Sequence, residues 1–371
     1  MPCPTLRGPR HLRRRGRRKR FAGISNVQGV SDEAFDAALQ SLQRHGRVVL
    51  HFHPDRLAAR PMTVAEGLLA DGIYRNQFET GVTSGSPSAQ PGGDRDLWEQ
   101  KVFGGAYHSE GVTATERPRY GSFELVRFPD GPMPRFGSCY FVLRPSVSAR
   151  STFTFMGTED PRALEPLGTI NQLHTVIAPL LAEIVSGAHA EPPWPPFHAP
   201  TLGVPGLTIR KLFDLMQRLG DSRADPRYGP AGRILDTTIE AQVHDIVDLR
   251  RDVELLVADP AFTDTPIGHV LIEIGGRYGF PILWHCGFEL RAAEVPDNFR
   301  GPAMPALARR IAHDGMIDAA IIGAAVASLR RRPETWRDWG QEPETWQQLK
   351  QLWHVLVHFG SSRQVSSGSA G

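Results

Sequence analysis

The sequence predicts an α+β fold on three observations. Between Ser122 and Met156, apolar and polar residues alternate with period two in runs broken by Pro, Gly and Asp turns, the pattern of neighbouring antiparallel strands. Helical spacing dominates before and after that region, without the strand–helix rhythm of a parallel sheet. No Gly-x-Gly-x-x-Gly follows a strand and no Gly-x-x-x-x-Gly-Lys-Ser/Thr occurs, so neither a Rossmann nor a P-loop core fits. With 371 residues, 40% apolar and 22% charged, the chain has ordinary globular composition and length for one large domain or two of average size.

Each element follows in order. Ser31 to Arg44 has the cap and spacing of a helix, and Arg47–His53 is a buried strand stopped by Pro54. Thr63-x-x-Glu66 is a capping box that starts a second helix. Gly81 to Asp94, rich in Gly, Ser and Pro, is a loop, and one that long points to function or mobility. Three strands follow: Ser122–Phe128, Gly137–Arg144 and Ser151–Met156. Leu167 to Val185 is a strong helix, Glu191–Pro205 a Pro-rich connector, and Leu207 to Leu219 helix again. Arg233 to His244 alternates as a strand and leads into an acidic helix, Val247–Ala258. Ile267–Tyr278 is helix, Phe280–His285 a short strand, and the chain is helical from Met304. Pro-Glu-Thr-Trp at both 333 and 343 marks two helix starts with Pro in the first turn. Ser361–Gly371 is a disordered tail.

The formal charge of +2 hides an asymmetry. Arg7, Arg10, Arg13, Arg14, Arg15, Arg17, Arg18, Lys19 and Arg20 crowd the start of the chain, and the body without them is acidic. Like charges so dense cannot fold on themselves, so residues 1–25 are expected as a disordered arm or the product of an early start codon; nucleic acid is not the expected partner. No apolar h-region follows the arm, so it is not a secretory signal. No run reaches the roughly eighteen apolar residues of a membrane span, so a soluble protein without a membrane partner is expected. Cys3, Cys139 and Cys286 lie too far apart for a disulfide scaffold or a Cys-x-x-Cys zinc site. They suit a reducing cytoplasm, and composition is silent on a non-classical route into a host cell.

Three clusters could carry chemistry. His51-Phe-His53-Pro-Asp55-Arg56 ends the first strand, with His51 and His53 on one face, and Tyr74-Arg75-Asn76-Gln77-Phe78-Glu79-Thr80-Gly81 follows about twenty residues later. Either histidine alone could be a satisfied core residue, but so many polar groups around one chain reversal are costly to bury without use. Ser151 and Phe153 share one face of a strand, with Thr152 and Thr154 on the other, as in any half-exposed strand. On a later strand Glu240, Gln242 and His244 share a face while Ile239, Ala241 and Val243 face the core. That row could lie under a ligand or form a solvated sheet face.

An aromatic and basic strand end, then a Ser-Thr strand, then a Glu-x-Gln pair resembles the mono-ADP-ribosyltransferases. His53-Pro-Asp-Arg56, Tyr74-Arg-Asn-Gln-Phe-Glu-Thr-Gly81, Ser151-Thr-Phe-Thr-Phe155, Glu240-Ala-Gln-Val-His244 and Trp284-His-Cys-Gly-Phe-Glu289 are similar to the bacterial CteC-type transferases, which modify a threonine of ubiquitin. The likeness covers roughly 47–290. It implies an ADP-ribosyltransferase-like fold of two packed, mainly antiparallel sheets with surrounding helices over 26–290, a helical C-terminal extension over 291–360 packed on it, and a tail. It implies NAD⁺ as co-substrate, a protein acceptor, and no metal. Arg56 with His53 would grip the phosphates or ribose, the Tyr74, Arg75, Asn76, Gln77, Phe78 and Thr80 segment would border the dinucleotide, and Ser151, Thr152 and Phe153 would brace the nicotinamide ribose. Glu240 would be the catalytic carboxylate, supported by Gln242 and His244. Two departures stand out: the Ser-Thr motif lacks its usual third Ser, and the acidic pair ends in Gln242 where the family more often has Glu.

These residue types suit that reaction. Breaking the nicotinamide–ribose bond builds positive charge on the sugar, which a carboxylate beside the 2′-OH stabilises. A threonine hydroxyl must lose its proton as the new bond forms, and His244 or Gln242 could accept or orient it. Arginine offers paired donors to a diphosphate. Tyr74 or Phe78 could stack on nicotinamide or belong to the core.

Two rivals remain. His51-x-His53 at a strand end also suits a metal-dependent hydrolase, with His174, His244, His285 and Asp236 as further ligands, though the strand–helix alternation that gathers such sites is missing. A non-catalytic partner-binding module could use Trp336, Trp339, Trp346 and Trp353, although the seven-residue spacing of Trp346 and Trp353 equally suits an inward helix face.

Overall fold

Strands enriched in Val, Phe and Tyr line up into one large sheet, and helices cover it. The computed structural model describes residues 30–57, 62–81, 89–158, 167–186, 202–236 and 238–363. The arm at 1–25, most of the connector at 191–205 and the tail from 364 lie outside them. Among the described residues no helix is long and apolar enough to cross a membrane.

The first half of the chain gives α1 (Asp32–His45), β1 (Val48–Phe52), α2 (Val64–Asp71), β2 (Ile73–Tyr74), α3 (Gln77–Thr80), α4 (Asp94–Phe103), β3 (Arg119–Phe123), β4 (Cys139–Leu143), α5 (Pro145–Ala149), β5 (Ser151–Phe155), β6 (Gly168–Thr169) and α6 (His174–Ser186). The second half gives α7 (Ile209–Gln217), β7 (Ile239–Val243), β8 (Val247–Asp248), α8 (Leu249–Asp252), β9 (Val253–Ala258), α9 (Pro266–Tyr278), β10 (Ile282–Trp284), β11 (Glu289–Arg291), α10 (Met304–Ile311), β12 (Met316–Asp318), α11 (Ala319–Arg331) and α12 (Glu342–Phe359). The local signals act as expected: Ser31 caps α1, and Thr63 with Glu66 forms the capping box of α2.

Eight strands form one sheet in the order β10-β9-β4-β1-β3-β7-β5-β6, antiparallel except for β9 and β10. The resemblance implies two packed sheets, and here the structure differs. The two halves are joined edge to edge, because β1 and β3 pair at Val48↔Phe123 and Val49↔Ser122. Past that junction β1 stays with β4 as far as Phe52↔Cys139, and β3 stays with β7 as far as Arg119↔Val243. Gly121 sits at the fork; a Cβ there would lie 2.5 Å from the Val49 carbonyl oxygen and 2.6 Å from Leu50 Cδ2.

Several element boundaries differ from the sequence expectation. The strand expected at Ser122–Phe128 is Arg119–Phe123, bonded along its earlier residues to β7. Val247–Ala258 is not an acidic helix but β8, one helical turn and β9. Leu255, Leu256 and Val257 are buried on both faces of a strand between β4 and β10, while Asp248 caps the single turn by accepting from Arg251 N–H. The helix expected from Leu167 starts only at His174, after β6 and a tight turn. The strand expected from Arg233 starts at Ile239, since buried Asp130 takes the N–H groups of Gly232 and Arg233 into a loop instead. The helical run from Met304 is interrupted by β12, which pairs with β11; Pro343 opens α12, but Pro333 opens only a short 3₁₀ turn. Residues 361–363 are anchored by Ser361, which exchanges backbone bonds of 2.8 and 2.9 Å with Glu289.

The main core runs from Val30 to Val357, so the C-terminal helices belong to it. Trp353 is fully buried and its indole N–H donates to the Pro134 carbonyl at 2.9 Å. Trp336 is also buried, and Trp339 and Trp346 pack against the same core, so these side chains turn inward.

Candidate functional site

Where β1 and β3 part, a cavity of about 230 Å³ opens. His51 of β1, the turn residues His53 and Arg56, the segment from Ile73 to Thr80 apart from Phe78, Arg95 of α4, and Arg119 to Ser122 of β3 line it. Glu240 reaches it from β7, and Val326, Trp346 and Lys350 from α11 and α12. Of the residues singled out in the sequence, His53, Arg56, Tyr74, Arg75, Asn76, Gln77, Thr80 and Glu240 thus converge on one space.

Their roles within it differ. Arg56 is buried, its guanidinium lies 5.9 Å from the Trp346 ring centroid, and Nη1 has no hydrogen-bond partner. Burial lowers its pKa, partly offset by Asp55 alongside. Asn76 caps α3 by accepting from the N–H groups of Phe78 and Glu79 and donates to the carbonyls of Ala114 and Arg117. Arg75 pairs with Asp71, and Arg119, absent from the sequence expectation, is 1% exposed and pairs with Glu79 at 3.0 Å. Tyr74 packs edge-on against Phe52 and Phe141 and donates to the His51 carbonyl, so its ring belongs largely to the core. Phe78 does not line the cavity; its ring carries the Arg117 guanidinium at 4.6 Å.

His51 is satisfied by backbone, with Nδ1 on the Gly137 carbonyl at 3.1 Å and Nε2 accepting from Met133 N–H at 3.3 Å. Burial takes its pKa down to about 3, so the ring is neutral. His285 is likewise held between Ser138 and Gly287. Among the described residues no group of three His, Cys, Asp or Glu is arranged to hold a metal ion. The hydrolase reading thus loses the first member of its ligand pair.

Neither Ser151 nor Phe153 reaches the cavity. Ser151 donates to the Val147 carbonyl at 2.8 Å, and Phe153 is fully buried against Phe123 with ring centroids 4.6 Å apart. Both lie on the core face of β5. On the opposite face a hydrogen-bonded row runs across β5 and β7 to Glu240. Thr152 Oγ1 lies 2.9 Å from His244 Nε2 and 3.0 Å from Gln242 Oε1. Gln242 Nε2 donates to Thr154 Oγ1 at 3.0 Å and to Glu240 Oε1 at 3.1 Å. Thr158 N–H donates to the same Glu240 oxygen at 3.1 Å. The expected row of polar side chains therefore exists, but Gln242 is fully buried and only its first member, Glu240, meets the cavity. Gln242 and His244 stand behind it.

Arg95, Arg119, Tyr120 and Lys350 escaped the sequence analysis, and Trp346 was expected only on a partner surface or an inward helix face. Arg95 lies 4.4 Å over the Tyr120 ring and donates to Thr158 Oγ1 at 2.9 Å, so α4 is tied to the residue that braces Glu240. Only a correct start for β3 would have exposed Arg119 and Tyr120 as strand residues. Lys350, four residues after Trp346 on the same helix, carries no local mark distinguishing it from other α12 residues.

A family model described as "Protein of unknown function (DUF3626)" matches residues 47–359. The matched span runs from the edge of β1 to the end of α12 and takes in every wall of the cavity. No curated protein matches the chain.

Proposed function

The chain belongs to the DUF3626 family, and we propose that it is a mono-ADP-ribosyltransferase that cleaves NAD⁺ and passes ADP-ribose to a protein side chain. One observation carries the reading: Glu240, braced through one carboxylate oxygen, and Arg56, with a buried guanidinium nitrogen unpartnered, line the same cavity. A buried guanidinium nitrogen without a hydrogen-bond partner is costly, and an anionic ligand would offset that cost.

The volume fits part of a dinucleotide. A cavity of roughly 150 Å³ can admit a benzene ring, so about 230 Å³ accommodates a nicotinamide ring and some of its sugar. The diphosphate and adenosine would extend beyond it. Arg56 is the natural partner for a phosphate, through donors that match two oxygens at once. In the reaction the nicotinamide–ribose bond breaks and its electron pair leaves with nicotinamide. The Glu240 carboxylate stabilises the positive charge left on the sugar. An acceptor oxygen then bonds to that carbon and gives its proton to solvent. By the family resemblance, the acceptor is a threonine of ubiquitin.

Incubation with biotinylated NAD⁺ and ubiquitin, followed by mass spectrometry, tests this. Added ADP-ribose on ubiquitin that disappears with Glu240→Ala is the expected result. Absence of both NAD⁺ cleavage and label with wild-type protein would overturn the reading.

A further inference from the structure

We infer that Tyr107 and His244 are positioning residues for Glu240, acting through a chain of hydrogen bonds with a single direction. The chain can be read from its fixed end. Thr154 Oγ1 gives its proton to the Met156 carbonyl at 2.9 Å, so towards Gln242 it can only accept. The Gln242 NH₂ group must therefore face Thr154 and Glu240, and its oxygen must face Thr152. That oxygen takes the Thr152 hydroxyl proton. With its proton committed, Thr152 can only accept from His244, which requires hydrogen on Nε2. His244 Nδ1 then accepts from the Tyr107 hydroxyl.

Every donor along this path points towards Glu240. Aligned bonds polarise one another, so the far end strengthens the near end. The geometry around Tyr107 is built for the role. Gly104 and Gly105, with φ of 60° and 80°, turn the chain back after α4 in a conformation that side chains resist. Phe103 stands edge-on to both the Tyr107 and His244 rings, with centroids 5.2 and 5.5 Å away, and fixes the pair. Arg150 donates to the His244 carbonyl, while Arg95 and Tyr120 are the charged and titratable groups packed beside the Glu240 end. Burial and then Arg150 lower the His244 pKa to about 4, which keeps the ring neutral and able to accept at Nδ1.

The chain's direction is a statement about this fold alone; its effect on rate rests on the transferase reading. The test is nitrogen-15 NMR of histidine-labelled full-length protein, with Tyr107→Phe, His244→Gln and His244→Phe variants. The wild type is expected to show the Nε2–H tautomer at His244, assigned by its loss in the substituted proteins. Tyr107→Phe should mix the tautomers and speed exchange of the Gln242 side-chain amide protons by about five- to tenfold, the weight of one hydrogen bond. His244→Gln, which can still donate to Thr152, should keep that protection, and His244→Phe should lose it. An Nδ1–H tautomer in the wild type, or equal protection in both His244 variants, would overturn the relay. In parallel, nicotinamide release should fall in kcat with KM retained for Tyr107→Phe and His244→Phe. An unchanged kcat in those two, with wild-type enzyme active, would also overturn the positioning role. A wild type that releases no nicotinamide counts against the transferase reading alone, since the NMR result judges the relay by itself.

Discussion

Gln242 Nε2 donates to Glu240 Oε1 across 3.1 Å, from a position with no exposure to solvent. The two residues alternate along β7 so that both point to one face, and β5 supplies Thr152 and Thr154 opposite them. Gln242 therefore stands directly behind the carboxylate. Here a neutral amide serves, and it adds no like charge beside Glu240.

Gln242→Leu should accordingly cost about 1–3 kcal/mol of stability, because Thr152, Thr154 and Glu240 each lose a partner in a buried site. Urea denaturation measures it. A variant as stable as wild type would show that these groups find other partners.

Arg56→Lys keeps a cation beside Asp55 but removes the planar pair of donors. If an anion of NAD⁺ binds there, its Kd should rise about tenfold or more, since a hydrogen bond between charged groups is worth about 1.5–3 kcal/mol. The rise in Tm that NAD⁺ gives the wild type should shrink in step. An unchanged Kd would place the anion elsewhere.

Asp259 predicts a pH dependence. Burial, foremost, raises its carboxyl to about 7, with Asp318 adding to the rise and the Ala261 N–H and Arg363 opposing it. The folded chain then keeps the proton until near neutrality, while the unfolded chain releases it above about pH 4. This residue favours the fold most at low pH, and its contribution erodes as pH climbs towards 7. Asparagine has no such proton. Between pH 5 and 7, Asp259→Asn should therefore gain about 2–3 kcal/mol relative to wild type, read from urea midpoints at each pH. A constant difference would show an ionised carboxyl throughout.

Gly121→Ala should destabilise the fold by about 1–3 kcal/mol through overpacking, because the new methyl group would press on the Val49 carbonyl and Leu50 at the fork between β1 and β3. Thermal denaturation would register it. A fully stable variant would mean that the fork can widen, and the cavity with it.

Much of the local structure was legible in the chain. Period two put Glu240 and Gln242 on one face of β7 with His244 just past its end, and the capping box at Thr63 started α2 where expected, because strand alternation and helix capping depend on residues a few positions apart. The sequence also marked Arg56 and the Tyr74 to Thr80 segment as unusual by their density of polar groups. Which of these residues meet depends on long-range packing. Strand alternation says which side chains share a face but not what covers that face; α4 and Thr158 close over Glu240, which is why Gln242 and His244 lie behind it. The same limit applies at Val247–Ala258, expected as an acidic helix, where burial between β4 and β10 makes Val253–Ala258 a strand. Trp346 and Lys350 reach the cavity from nearly 300 residues beyond β1. Their place there was set by packing into a shared core, for which a short window of sequence holds no signal.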